Sequence, residues 1–404
     1  MSIIIRSCRS ADELRAALLP LWHYFGRAPA EDQVGHFERL MTPERVHAAW
    51  EDGEVVGGAG AFAFALTIPG GHVQAAGISA VGVLPSHRRR GVLRALMRSQ
   101  LDACRERGEP IAYLWATEER IYGRFGFGMT SLAAEIELPR ERSEFYLPYQ
   151  PCGKASIVPV GSAEELISPV YAQVADRTPG MFARTSEWWQ LRVLADPDWR
   201  RQDAGALQCA VVESDGKPAA YALYRVNPMF DHGIPNGTVG AVEVLGRSPD
   251  STRAIWRYLL DMDLSGRIRA TLLPLDHPLV LVLAEPRRMR FTLRDGTWIR
   301  LVDVEAALMS RSLQGTGAVV IDLVDEFCPW NAGRWRIADG TAERTSEPAD
   351  LRCDVSSLGS VFLGGFTWLQ LFHASRLEEL RPNGVLRADL IFRTHSAPWC
   401  PEYF

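Results

Sequence analysis

The segment Val81-Gly82-Val83-Leu84-Pro85-Ser86-His87-Arg88-Arg89-Arg90-Gly91-Val92-Leu93 says more about this chain than any other stretch of it. It reads as a short strand, a turn and the opening of a helix. N–H groups at a helix start converge on one spot, and the helix dipole favours negative charge there. Three guanidinium groups oppose that dipole unless an anion joins them. Gly91 lets the backbone approach such an anion closely. A diphosphate clamp is therefore expected, in preference to a surface helix with a solvated basic first turn. The helix behind it is well marked. Leu93, Leu96, Met97, Leu101 and Cys104 recur on one side, Arg94, Arg98 and Asp102 lie on the other, and Gly108 and Pro110 end it.

No G-x-x-x-x-G-K-[ST] and no G-x-G-x-x-G after a strand occurs, so the segment is neither a P-loop nor a dinucleotide fingerprint. Arg88-Arg89-Arg90-Gly91-Val92-Leu93 resembles the pyrophosphate loop of the GNAT acyltransferase superfamily. Leu93 replaces the small residue usual at its end, and R-R-R-G-[VIL]-L is how the Eis (enhanced intracellular survival) family of GNAT acetyltransferases writes it.

Further on, Ile111-Ala112-Tyr113-Leu114-Trp115 suits a buried strand, and Thr117 is expected to cap a helix with Glu118 and Glu119 in its first turn. Ile121-Tyr122-Gly123-Arg124-Phe125-Gly126-Phe127-Gly128 follows. It closely resembles the Eis form of the GNAT Y-x-x-x-G-F motif. The resemblance implies that Tyr122 is the general acid that protonates the departing thiolate of coenzyme A. A phenol can donate a proton there without adding a competing charge. The plainer alternative is an aromatic cluster of Tyr122 with Phe125 and Phe127.

Composition bounds the remainder. The chain has 404 residues, enough for two or three domains, and is 47% hydrophobic and 23% charged, as a globular protein is. No apolar run is long enough to span a bilayer, and Met1 to Arg6 reads as a first strand and not as a signal peptide, so a cytoplasmic, non-membrane protein is expected. A net charge of −5 argues against nucleic acid and is compatible with a cationic substrate. Seven scattered cysteines without C-x-x-C read as reduced thiols, and nine histidines without H-E-x-x-H give no expectation of a metal.

Three domains are expected: 1–150, 151–298 and 299–404. Ile3 to Ile5, Gly57 to Thr67 and Ala75 to Val83 read as strands, Ser10 to Leu19 as a helix, and Asp52-Gly53 as a hairpin turn. The proline-rich stretch Pro139 to Val158 reads as a boundary. The middle third echoes the first, with a hairpin at Asp215-Gly216, a strand over Val239 to Leu245 and a helix from near Pro249. Gly246-Arg247-Ser248-Pro249-Asp250-Ser251 stands there in place of the arginine triplet, a poor site for an anion. A degenerate second GNAT-like fold without its own cofactor is expected. In the last third Ala318 to Val324, Trp335 to Ile337 and Leu351 to Val355 alternate as strands, with a helical stretch through Leu369, Phe372 and Leu377. Asp354 to Gly364 resembles the sterol-carrier-protein-like domain of Eis relatives. The fold class is thus α/β (α+β): tandem GNAT folds, the first active and the second degenerate, plus that third domain.

The sequence closes on Pro398-Trp399-Cys400-Pro401-Glu402-Tyr403-Phe404, an aromatic end that is expected to be buried. In the Eis family the last residue threads into the N-terminal domain, and its α-carboxylate is the general base; the resemblance carries that role to Phe404. The alternative is a hydrophobic plug. The resemblance further implies acetyl-CoA as co-substrate and a homohexamer. Val81, Gly82 and Val83 would face the pantetheine arm. Arg89, Arg90, Gly91, Val92, Leu93 and Arg94 would surround the diphosphate, with Arg88, Thr117 and Glu118 nearby. The expected activity is N-acetylation of a small cationic amine (aminoglycoside or polyamine type) or a lysine side chain, by direct transfer. Leu21-Trp22-His23-Tyr24-Phe25 matches a region lining the acceptor pocket, where some relatives carry an acid; Glu402 could supply acidity instead. Rival readings are a longer acyl-CoA donor, a non-catalytic acetyl-CoA sensor, and a lipid-binding module on the last domain.

Overall fold

The computed structural model describes residues 3–26, 28–201, 204–315 and 317–404, and the chain divides into two units. The first comprises Met1–Ser131, Gly296–Pro398 and Tyr403–Phe404, and the second Leu132–Asp295 and Trp399–Glu402. The divisions fall at 131/132 and 295/296, not at the expected 150 and 298.

The first unit opens with strand β1 (Ile4–Ser7) and helix α1 (Ala11–Trp22), whose N-cap Ser10 side chain accepts a hydrogen bond from the Glu13 amide. Met1 and Ser2 of the expected first strand lie outside the described residues. Helix α2 (Glu31–Leu40), β2 (Val46–Glu51), β3 (Glu54–Ile68) and β4 (Gly71–Val83) follow. Asp52 and Gly53, both at positive φ, make the hairpin between β2 and β3. Helix α3 (Val92–Glu106), β5 (Ile111–Trp115), the single turn α4 (Glu119–Tyr122) and β6 (Gly128–Met129) complete the N-terminal part. A strand from far down the chain, β7 (Thr297–Leu301), inserts between β5 and β6, so the seven-stranded order is β1-β2-β3-β4-β5-β7-β6. Only β4 and β5 run parallel, joined through α3.

α1 lies directly on this sheet. A Cβ on Gly82 would stand 2.5 Å from the Leu21 nitrogen, so the absent side chain is what lets the helix seat over β4.

The first unit also holds a five-stranded sheet in the order Thr341–Arg344, Gly333–Ala338, Ala318–Val324, Leu351–Asp354, Leu377–Glu379. Leu377, expected in a helix, is in its edge strand; the helix ends at His373. Asp354 caps the wholly buried helix Val355–Phe362 by accepting from the Ser357 amide at 2.7 Å. That helix packs on β6 and β7 so closely that a Cβ on Gly359 would meet the Ile299 carbonyl oxygen at 2.7 Å. The small residues of Asp354–Gly364 serve this contact.

The second unit repeats the scheme. Its sheet runs Thr292–Asp295, Leu132–Pro139, Ser265–Leu273, Gly237–Gly246, Lys217–Asn227, Gln208–Ser214, Lys154–Val158. Gly237–Gly246 and Ser265–Leu273 form its parallel pair, joined through helix Pro249–Leu260. Each sheet is completed by a strand that the linear order would have given to the other, which is why boundaries read from composition miss.

Candidate functional site

The parallel pair in the first unit is short. β4 meets β5 only at Ala75–Gly77 against Ile111–Tyr113. Beyond it β4 bulges: the register against β3 shifts so that Ala80 and Val81 stand opposite Ala59, and Ala80 takes φ +54°. Gly57 pairs with Val83, while the Leu84 amide donates to the Val56 carbonyl at 2.9 Å. In an antiparallel ladder hydrogen-bonded and open pairs alternate, so Val83 turns its N–H and C=O away from β3, toward the side where β5 has left. A strand edge of β4 is thereby offered to a ligand.

The arginine turn comes next. Arg89 (φ +60°) and Gly91 (φ +83°) both lie in the left-handed region, a cost that concentrates at ligand-binding turns. Gly91 is the N-cap of α3 and supplies no capping side chain, so the first N–H groups of a four-turn helix have no side-chain acceptor. The equivalent helix of the second unit differs. Ser248 caps Pro249–Leu260, accepting from the Ser251 amide at 3.2 Å, and Ser251 Oγ in turn accepts from the Ser248 amide at 3.0 Å. One helix start satisfies itself; the other has no capping side chain among the described residues.

A cavity of about 840 Å³ joins these features. Val81, Gly82 and Val83 line one wall; Arg89, Gly91, Val92, Leu93 and Arg94 line another, with Arg88 beside them. Thr117, Glu118 and Tyr122 close the far side. Thr117 is not the helix cap that was expected. Glu118 occupies the N-cap position of α4 without a side-chain cap hydrogen bond, which leaves the Thr117 side chain to the cavity. Tyr122 is buried edge-on against Phe127, ring centroids 5.9 Å apart, and burial first, then Glu118, pushes its hydroxyl up to about 12. It therefore keeps its proton at any working pH. Arg94 also stacks on Phe327 at 5.1 Å.

Arg90 departs from the expectation. It is absent from the cavity wall, and its guanidinium is taken by Glu51, at 3.0 Å through Nη1. His87 Nε2 reaches the same carboxylate at 2.7 Å. Arg90 chiefly, and His87, hold Glu51 down to about 2. Seven residues not assigned to the donor site line the cavity as well: Leu21, Tyr24, Phe25, His87, Ile121, Arg124 and Phe125. The stretch Leu21 to Phe25 was read as acceptor pocket. The structure divides it: Leu21, Tyr24 and Phe25 join the arginine turn, and Trp22 and His23 face a separate groove with Trp50 and Leu84. No periodicity marks Tyr24, in the turn that follows α1, as a neighbour of the arginine turn, so the sequence carried no signal for this division.

Within the first unit Phe404 stacks on Tyr113 of β5, centroids 5.1 Å apart, and meets Phe64 of β3 edge-on at 4.9 Å. Tyr403 packs on Trp115, the last residue of β5, at 4.6 Å. Within the second unit Glu402 accepts from Arg184 Nε at 2.6 Å and from the Trp188 indole at 2.9 Å. Arg184 also binds Glu243 at 2.5 Å and lies over Tyr171 at 3.8 Å. The Glu402 carboxylate is engaged by Arg184 and Trp188, so it is not the loose acidity that the sequence offered.

Comparison with known proteins agrees with this geometry. Residues 6–130 and 180–301 each match an acetyltransferase (GNAT) domain, and 304–401 match a sterol carrier protein domain. An uncharacterized N-acetyltransferase of Streptomyces avermitilis is 40% identical over 386 residues, 94% of each chain. N-acetyltransferase Eis of Mycobacterium tuberculosis is 32% identical over 361 residues, 84% of this chain and 83% of its own. The crystal structure of Eis1 from Mycobacterium abscessus superposes over the full length of both chains with a TM-score of 0.87 at 32% identity. Two GNAT domains followed by a sterol-carrier-protein-like domain define an acetyltransferase, an enzyme that draws its acyl group from acetyl-CoA and delivers it to an amine. Within that class the chain belongs to the Eis family of GNAT N-acetyltransferases. Among the described residues no helix is long and apolar enough to cross a membrane.

Proposed function

We propose that the chain transfers the acetyl group of acetyl-CoA directly to a primary amine, with its donor site in the cavity between β4, the start of α3 and Tyr122. The amide groups at Gly91, Val92 and Leu93, with the guanidinium groups of Arg89 and Arg94, hold the diphosphate. The backbone of Val81 and Val83 pairs with the pantetheine amides as an added strand would, beside Gly82, Thr117 and Glu118. Arg90 acts from outside the wall, through Glu51. The Phe404 α-carboxylate takes a proton from the substrate ammonium, the neutral amine so formed attacks the thioester carbonyl, and Tyr122 donates its proton to the departing sulfur. The observation that carries this reading is the helix start without a side-chain cap, opening on the same cavity as a buried, protonated tyrosine.

A covalent acyl-enzyme is not needed. Cys104, the thiol on α3, is buried and pushed up to about 12, too weakly acidic to serve as a nucleophile. The acceptor is a small cationic amine of polyamine or aminoglycoside type, or a lysine side chain, and Glu402 is not its anchor because Arg184 already holds that carboxylate. Coenzyme A release measured across polyamines, aminoglycosides, arylamines and lysine peptides tests the reading. At least one amine should be turned over by the native chain and not by the Tyr122→Phe variant. Residues appended after Phe404 should block turnover while coenzyme A still binds; full activity in such a protein would remove the proposed base. A hexameric, cytoplasmic enzyme follows from the family likeness, and light scattering of the purified protein tests the assembly.

A further inference from the structure

Val83 presents its carbonyl to the open side of β4, and that carbonyl already has a partner. The Tyr24 hydroxyl donates a hydrogen bond to it. The same tyrosine carries the Arg88 guanidinium over its ring, 4.8 Å from the centroid. Tyr24 lies in the short 3-10 turn His23–Phe25 that extends α1, and Gly26 at φ +65° ends the turn. Its side chain lines the donor cavity yet is 41% exposed, so it is not held by the core.

We infer that Tyr24 is a gate on the donor site, a residue that must leave Val83 before the pantetheine arm of acetyl-CoA can pair with β4. The inference rests on the donor-site reading above. One carbonyl lone pair aimed into the gap cannot accept both the phenol and a pantetheine N–H along the same direction, so the two compete. Departure of the ring also frees Arg88 from its stacking contact, at the turn where the diphosphate is held. One movement therefore opens both ends of the site: the strand edge at Val83 and the first guanidinium of the triplet. After the acetyl group has gone, return of Tyr24 to Val83 assists expulsion of coenzyme A, which makes Tyr24 a positioning residue for binding and release and not for the chemical step.

The test is Tyr24→Phe, which keeps the ring under Arg88 and deletes only the donor. Calorimetric titration with coenzyme A should show binding about two- to tenfold tighter than in the native chain, the range set by loss of one competing hydrogen bond. Stopped-flow measurement should show slower release, so that kcat falls wherever release limits turnover while KM for acetyl-CoA falls with it. Binding that is unchanged or weaker in Tyr24→Phe would overturn the gate. Arg89→Ala in the same titration separates the two readings. If it binds coenzyme A poorly while Tyr24→Phe shows no gain, the donor site stands and the gate falls. If Arg89→Ala binds normally, the donor site is elsewhere and the gate falls with it. Tyr24→Leu, which also removes the stacking surface and so frees Arg88, should tighten binding at least as much as Tyr24→Phe.

Discussion

Two side chains separate chemistry from binding. Tyr122 is raised to about 12 by burial, so its neutral form persists two pH units beyond that of an ordinary phenol at 10.0. The Tyr122→Phe variant should lose about a hundredfold or more in kcat, the usual share of a positioned general acid, with its coenzyme A affinity intact. A kcat profile in the native enzyme should show no fall centred at pH 10, because the raised value moves that limb upward; a fall there would assign the acid to another group. The arginines divide differently. Arg89 faces the cavity, whereas Arg90 is occupied by Glu51. Arg89→Ala should weaken coenzyme A binding by about tenfold or more, as loss of a charge-assisted hydrogen bond does, and Arg90→Ala should cost clearly less. Titration of both variants decides the order. The triplet in the sequence made the three look equivalent; only the positive φ of Arg89 and the position of Glu51 on a neighbouring strand set them apart.

The helix that follows the parallel strand is the instructive element. Both sheets build it from the same amphipathic pattern, and they differ in how its first turn is satisfied. Ser248 and Ser251 close one; Gly91 leaves the other open. Part of that contrast was legible beforehand, since Gly246-Arg247-Ser248-Pro249-Asp250-Ser251 replaces the arginine triplet and reads as a poor anion site; that Ser248 and Ser251 close the turn came from the structure. Other features of these elements were not legible. His277 is fully enclosed beside Trp256 and accepts a hydrogen bond from the Leu279 amide through Nδ1, which requires a neutral ring. Burial pushes it down to about 3 from 6.5. The folded state thus binds this proton less readily than the unfolded chain. Stability is lost progressively as pH falls from 6.5 toward 3, by about 2 kcal/mol at pH 5. His277→Asn should flatten the acid side of a denaturation series between those values, and an unchanged slope would mean that the ring is protonated in the fold.

At the level of the whole chain, strands are traded across the sequence. β7 comes from residues 297–301 yet sits between β5 and β6, and it carries Arg300, whose guanidinium is wholly buried against Asp325 at 2.6 Å. Asp325 also accepts from the Cys328 amide at 2.8 Å and from Asn331 at 3.0 Å. Removing one partner strands a charge in the interior. Asp325→Asn should therefore destabilise by about 3–5 kcal/mol in urea unfolding. The same insertion means that residues 1–131 by themselves leave the edge of β5 unpaired, although the GNAT match ends at residue 130. A domain cut from linear similarity lacks a central strand of its own sheet.

What the sequence determined alone was local chemistry. Periodicity marked β3, β4, α3 and β5, and the turn residues marked their hairpin. The arginine turn and the Y-x-x-x-G-F stretch identified the family, because those signals depend on neighbours within a few positions and on backbone geometry that short motifs impose. Tertiary structure decided the rest: that β7 and Leu132–Pro139 complete each other's expected sheets, that Arg90 turns to Glu51, that Glu402 is claimed by Arg184, and that Tyr24 rests on Val83. Each is a pairing between residues 39 to 218 positions apart, from Arg90 with Glu51 to Arg184 with Glu402. No local propensity encodes such a contact. It is selected when burial leaves each polar group one partner within reach, and only the packed chain specifies which.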